Sequence, residues 1–181
     1  MNHLTTDITF YSPFHVATGT PSRGFDSTIN PDDPLPASSL KGVMRANAAR
    51  LLGSNHPLVE STFGKAGQPS PWSWGMAKVA QHETIRRARI KLGVDGIIED
   101  GLLMQAEVSS APGAAFEIMQ REYLDDVQRD RQVVLLSVAA RAVRSIGSDR
   151  NRGYGWVKMS PQFGPVAAEA AAWVLARRAE K

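Results

Sequence analysis

The chain has 181 residues, with 21 Lys and Arg against 18 Asp and Glu and no cysteine. That length builds one domain with a real core, and the missing cysteines exclude disulfides and thiolate metal sites. A composition 43% hydrophobic and 22% charged excludes a disordered chain; with no apolar run near the roughly 18 residues of a membrane span and no signal-peptide pattern in MNHLTTDITF, a soluble, cytoplasmic protein is expected.

Residues 4–11 alternate, Leu4, Ile8 and Phe10 on one side and Thr5, Asp7 and Thr9 on the other, which is the pattern of a half-buried strand. Residues 12–37 read as a long, proline-rich loop, and a loop of that length in a compact domain is functional or disordered. It carries His15, Asp26, Asp32 and Asp33. Ser38 or Ser39 is then expected to cap a helix over 38–53. In it Leu40, Val43, Met44, Ala48, Leu51 and Leu52 recur at helical spacing, and Gly53 ends it. Lys41 and Arg45 lie one turn apart near the helix N-terminus, where free N–H groups and the dipole favour an anion. The plainer reading is two capping serines and two solvated cations.

Residues 54–75 read as loop. Residues 83–92 alternate again, Ile85, Arg87, Arg89 and Lys91 against Arg86, Ala88, Ile90 and Leu92. GVDGIIEDG at 93–101 makes a tight turn or protruding hairpin, LLMQAEV returns, and AFEIMQ adds a strand. A long helix is expected over 123–146, with Leu135, Val138, Ala139, Ala142, Val143 and Ile146 as its buried stripe and Gly147 as its stop. The stretch GSDRNRGYGWV follows, with three glycines, two arginines and two aromatics. A short strand over 156–159 comes next, then a terminal helix over 164–181 that starts with Pro165 near its first turn. No internal repeat and no boundary are evident, so residues 1–181 are taken as a single domain.

GSDRNRGYGWV has two readings. It is a helix stop followed by a glycine turn into a strand, or it is a backbone cradle for phosphate. In the second reading Gly153 and Gly155 remove Cβ atoms beside a phosphate path, Arg150 and Arg152 supply charge, and Tyr154 stacks on a base. A small-molecule enzyme holding a nucleotide phosphate here is disfavoured by order: such loops follow a strand and open a helix, whereas this one follows a helix and precedes a strand.

The order strand, helix, strands, helix, strand is an α+β, ferredoxin-like split βαβ plan. Its four-stranded sheet is also that of the RNA-recognition domain, although that domain's stacking aromatics are not evident on the strands. Fold alone does not decide function. Three stretches carry more: LPASSLKGVMRA at 35–46, GSDRNRGYGWV with its Gly-x5-Gly-x-Gly spacing, and RIKLGVDGIIEDGLLMQAEVSSAPGAAFEI between them. Together and in this order they resemble the RAMP superfamily, most closely the small repeated backbone subunit of type III CRISPR–Cas effector complexes. The resemblance covers most of residues 4–160, and the terminal helix has no place in the pattern.

The resemblance implies a ferredoxin-like core, with CRISPR guide RNA, complementary target RNA, further copies of the chain and other type III subunits as partners. It implies RNA contact by Ser38, Ser39, Lys41, Arg45, Arg150, Arg152, Gly153, Tyr154 and Gly155, with the helix start and the glycine loop both flanking the first and last strands. GVDGIIEDG corresponds to a protruding thumb, with Ile97 and Ile98 at its tip as a wedge between bases or as packing against the next copy. An Asp in the long loop serves target-RNA cleavage, and Asp26 is the matching position, with Asp32 and Asp33 close by. A lone Asp, with a pKa near about 4, is a poor base at neutral pH; it suits a ligand or orienter of hydrated Mg²⁺ or Mn²⁺. The ordinary reading of Asp26 is an Asx-turn with Ser27 and Thr28. HVATGTPSRG stands where the family commonly has a His-hydrophobe-Gly-Gly run. Two related readings stay open: the same RNA scaffold without cleavage, and a metal-free CRISPR RNA processing endoribonuclease using His and Tyr or Lys, for which His15 is the histidine near a recognisable motif.

Overall fold

The computed structural model describes residues 3–18, 28–89, 104–165 and 167–178. In chain order the elements are β1 (His3–Phe10), α1 (Ala37–Leu52), α2 (Pro57–Phe63), β2 (Trp72–Trp74), β3 (Lys78–Ala80), β4 (Glu83–Arg89), β5 (Met104–Ser110), β6 (Gly113–Gln120), α3 (Asp126–Ala142), β7 (Val157–Pro161) and α4 (Ala167–Arg178). Asp26, Ile97 and Ile98 lie outside the described residues.

The main sheet is antiparallel, in the order β2-β6-β1-β7, with β3 also paired to β6. β2 takes residues 118–120 of β6 and β3 takes 113–115, so the two share one outer position. This is the expected ferredoxin-like arrangement: β1 and β6 central, α1 and α3 as the crossovers. Alternation decides the faces. Leu4, Ile8 and Phe10 of β1, Ala114, Phe116 and Ile118 of β6, and Val157 and Met159 of β7 are buried against the helices. Asp7, Thr9, Glu117 and Lys158 point the other way, into solvent. β4 and β5 form a separate ladder from Glu83↔Ser110 to Arg89↔Met104.

α1 buries Leu40, Met44, Ala48 and Leu52, one residue per turn along a single stripe. α3 buries Leu135, Leu136, Ala139 and Ala140 over the same core. Its Gln132 is buried too, and the Gln132 Oε1 accepts the Trp72 Nε1–H at 2.6 Å. That bond ties β2 at the sheet edge to α3. α4 docks on α1 and α3 with Ala170 buried and Trp173 and Val174 packed on the core. No helix among the described residues is long and apolar enough to cross a membrane.

Three local expectations are corrected. Neither Ser38 nor Ser39 caps α1: the helix starts at Ala37, Pro36 is the residue before it, and no side chain caps it. The Pro36 carbonyl instead accepts the Ser39 and Leu40 N–H groups, and the fixed proline φ sets the helical entry. Residues 54–75 are not all loop. α2 is seven residues long, short enough to escape a periodicity count, with Pro57 at its first turn and the His56 Nδ1 accepting the Leu58 N–H at 3.2 Å. The long helix ends at Ala142 rather than 146, because Val143 turns extended and residues 144–146 pair with the stretch leading into β7.

Gln132→Leu keeps volume but leaves the buried Trp72 indole N–H without its acceptor. It is expected to cost about 1–3 kcal/mol, read from the urea midpoint at unchanged slope.

Candidate nucleic-acid interface

Loop 147–155 is held at its base and open at its tip. At the base the Gly155 N–H donates to the Pro13 carbonyl at 2.7 Å, the Ile146 N–H to the Gly155 carbonyl at 2.9 Å, and the Ser148 N–H to the His15 carbonyl at 2.8 Å. The Trp156 N–H adds a bond to the Ser12 Oγ at 2.9 Å. Two glycines permit this. Gly147 and Gly155 have φ of +76° and +73°, and a Cβ on either would collide with a backbone carbonyl oxygen, that of His15 or of Ile146. The missing side chains thus make room for the chain's own backbone. Gly153, with φ +82°, has open space around its Cβ position and is simply the left-handed end of a 3₁₀ turn, Arg150–Arg152.

At the tip Arg150, Asn151 and Arg152 are exposed. Arg152 pairs with Asp149 at 3.4 Å, which aims it and offsets part of its charge. Tyr154 is half-buried. The exposed aromatics beside the loop are Trp156, at 59%, and Tyr11, at 65%; Tyr123, at 91%, lies elsewhere, between β6 and α3.

His15 is buried, and its Nδ1 bonds the backbone carbonyl of Glu107 in β5. The carbonyl is an acceptor, so Nδ1 carries the proton. Its own carbonyl also accepts from the Ser148 Oγ at 3.2 Å. His15 therefore pins the segment after β1 to the β4–β5 hairpin and to the glycine loop. The isolated Phe14↔Ser109 bridge repeats the first of those links.

Lys41 lies with its Nζ 5.3 Å from the centroid of the Trp74 ring, a cation–π distance. Partial burial, and then the charge of nearby Arg45, lower its pKa below the usual lysine value. Arg45 and Ser38 are exposed, and Ser39 is half-buried. The expectation that this helix start and the glycine loop flank the same strands does not hold. Lys41 sits against β2, at one edge of the sheet, while the loop feeds β7 at the other, with β6 and β1 between. Three strand spacings put those two edges about 14 Å apart sideways, and Trp74 is level with Leu4 while the loop enters β7 beside Phe10.

Of the loop carboxylates, Asp32 is exposed and its N–H donates to the Asn30 Oδ1 at 3.1 Å. Asp33 is half-buried, and its Oδ1 is enclosed without a hydrogen-bond partner among the described residues. Among those residues no three groups of His, Asp or Glu gather as a metal site would require.

A family model, that of the RAMP superfamily, matches residues 7–158. The fold is similar to a chain in the type III-B Cmr-beta complex bound to cognate target RNA, determined by cryo-EM, with a TM-score of 0.69 and 11% identity over 89% of this chain and 97% of that one. A chain from the apo state of a type III-B Cmr-beta complex is also similar, with a TM-score of 0.70 and 12% identity over 88% of this chain and 97% of that one. No curated protein matches in sequence.

The two glycine roles separate by mutation. Gly153→Ala is expected to cost about 1 kcal/mol, the left-handed penalty alone. Gly155→Ala adds a collision with backbone and is expected to cost about 3 kcal/mol. Chemical denaturation of both variants checks the difference.

Proposed function

Because this chain belongs to the RAMP superfamily, whose model spans residues 7–158, we propose that it is an RNA-binding backbone subunit of a type III CRISPR effector complex. Its partners are CRISPR guide RNA, complementary target RNA, further copies of itself and other subunits of the complex. The observation that carries this reading is loop 147–155: the family's glycine-rich stretch is held open by its own backbone, with Arg150 and Arg152 presented to solvent. The similar solved chains from type III-B complexes, one of them bound to target RNA, support it.

The chemistry follows from the charges. Exposed arginines bind phosphates without regard to sequence, so specificity comes from base pairing to the guide. Lys41 is a partly desolvated cation, and a phosphate beside it stabilises its charged form. Ser38 and Ser39 add donors in the same helical turn. A thumb with Ile97 and Ile98 at its tip belongs to the same proposal.

Target-RNA cleavage is the second part of the proposal. Attack by the RNA's own 2′-OH needs that hydroxyl aligned, its proton removed and the leaving oxygen stabilised. Bound Mg²⁺ or Mn²⁺ supplies charge stabilisation at such a centre. The residue assigned is Asp26. Asp32 and Asp33 are not gathered with a third ligand among the described residues, so they are given no step. The metal-free processing reading is weakened because the His15 side chain is buried away from solvent.

Lys41→Ala combined with Arg152→Ala is expected to weaken RNA binding by a similar factor for all sequences. The slope of log affinity against log salt should shrink by about 1.4, from about 0.7 per lost contact on single strands. An unchanged slope removes both residues from the interface. For cleavage, the guide-loaded assembly is incubated with labelled complementary RNA in Mg²⁺ or EDTA. Metal-dependent products that vanish in Asp26→Ala are expected. Tight binding without products leaves a scaffold, and absence of guide-dependent binding overturns the reading.

A further inference from the structure

We propose that Tyr11 and Trp156 form a stacking platform for unpaired nucleobases on the open face of the sheet, beside loop 147–155; this rests on the RNA-binding reading above. The register places them. Phe10↔Val157 is the last pair of the β1–β7 ladder, and the next pair outward is Tyr11 with Trp156, joined by the Tyr11 N–H donating to the Trp156 carbonyl at 2.8 Å. Phe10 and Val157 are buried against the helices. Alternation therefore turns Tyr11 and Trp156 to the opposite face, with their Cβ atoms about 5 Å apart as cross-strand neighbours.

Both rings are exposed, Tyr11 at 65% and Trp156 at 59%, whereas Trp72 and Trp74 are buried. Neither ring makes a hydrogen bond or a ring contact among the described residues. Two adjacent uncovered aromatics are apolar surface that calls for a partner. Their backbones are fixed: the Trp156 N–H is held by the Ser12 Oγ and Trp156 bridges Ser145. Rigid, preorganised rings of this kind bind at small conformational cost.

The surroundings choose the partner. Lys158 lies two residues along β7 on the same face and is exposed, as are Arg144, Arg150 and Arg152. Asp149 is engaged with Arg152, and Asp7, farther down the same face, accepts from the Gln162 Nε2–H at 2.7 Å. Aromatic rings set among cations accept the flat face of a base and the charge of its phosphate together. A paired duplex keeps its bases stacked on one another, so the ligand is single-stranded RNA.

The test uses the full chain with a single-stranded uridine oligoribonucleotide and an abasic oligomer of equal length and charge. The wild type should bind the uridine strand roughly tenfold tighter than the abasic one, in line with the contribution of one stacked base. The Tyr11→Ala, Trp156→Ala double variant should lose that preference while keeping the abasic affinity and the salt slope. Trp156→Phe should restore most of it, and bound uridine RNA should shield the exposed indole from acrylamide quenching. A double variant that keeps the preference overturns the platform and leaves RNA binding by the loop intact. A wild type that binds neither strand overturns both readings. Shielding of the indole that rises with protein concentration in the absence of RNA overturns the platform in favour of a contact between copies.

Discussion

The close approach of two backbone segments, the turn after β1 and the connection before β7, is the constraint on which much of the molecule depends. Gly147 and Gly155 allow it, because only a residue without Cβ lets the carbonyls of His15 and Ile146 come so near. Once the segments meet, Arg144 and Ile146 act as strand partners of Val157 and Gly155. The helix before them must then stop at Ala142, and β7 enters the sheet in register with β1. The same contact holds His15, whose ring carries the constraint on into the β4–β5 hairpin. One local event in the chain thus sets a helix end, a strand register and an anchor for the β4–β5 ladder.

That constraint also explains why the loop can present charge. A nine-residue loop with unbonded ends would pay conformational entropy on meeting a ligand. Here the ends are bonded, and the tip, where Arg150 and Arg152 stand, faces solvent. The glycines serve the frame and the arginines serve the surface. Lys41 follows a different logic: it is held by the face of Trp74 at the far edge of the sheet and is partly desolvated. The two basic sites are separate points across the sheet, which suits an extended polyanion better than a single phosphate.

The sheet divides the molecule by polarity. One face carries the packed core under α1 and α3; the other carries Asp7, Thr9, Glu117 and Lys158. On that second face the middle of the sheet is polar and has no large rings. The rings lie at the β1–β7 end, next to the loop. A superfamily built on this fold can vary strand ends and loops while the core strands stay occupied with packing.

The sequence by itself determined the periodic elements. Leu4, Ile8 and Phe10 mark β1; Leu40, Met44 and Ala48 mark α1; Leu135, Ala139 and Ala142 mark α3; and their order yields the ferredoxin-like plan. The motif set also located the arginine loop. These features are legible because each depends on spacings of a few residues along the chain. Tertiary structure alone decided the rest. It chose Pro36 over the serines at the start of α1, ended α3 early, spent Gly155 on the Ile146 carbonyl, made His15 a pin, and placed Lys41 on Trp74. It also set Tyr11 beside Trp156, 145 positions along the chain. Each of these follows from a partner distant in sequence, and a carbonyl or ring brought near by folding leaves no periodic trace in the order of the residues.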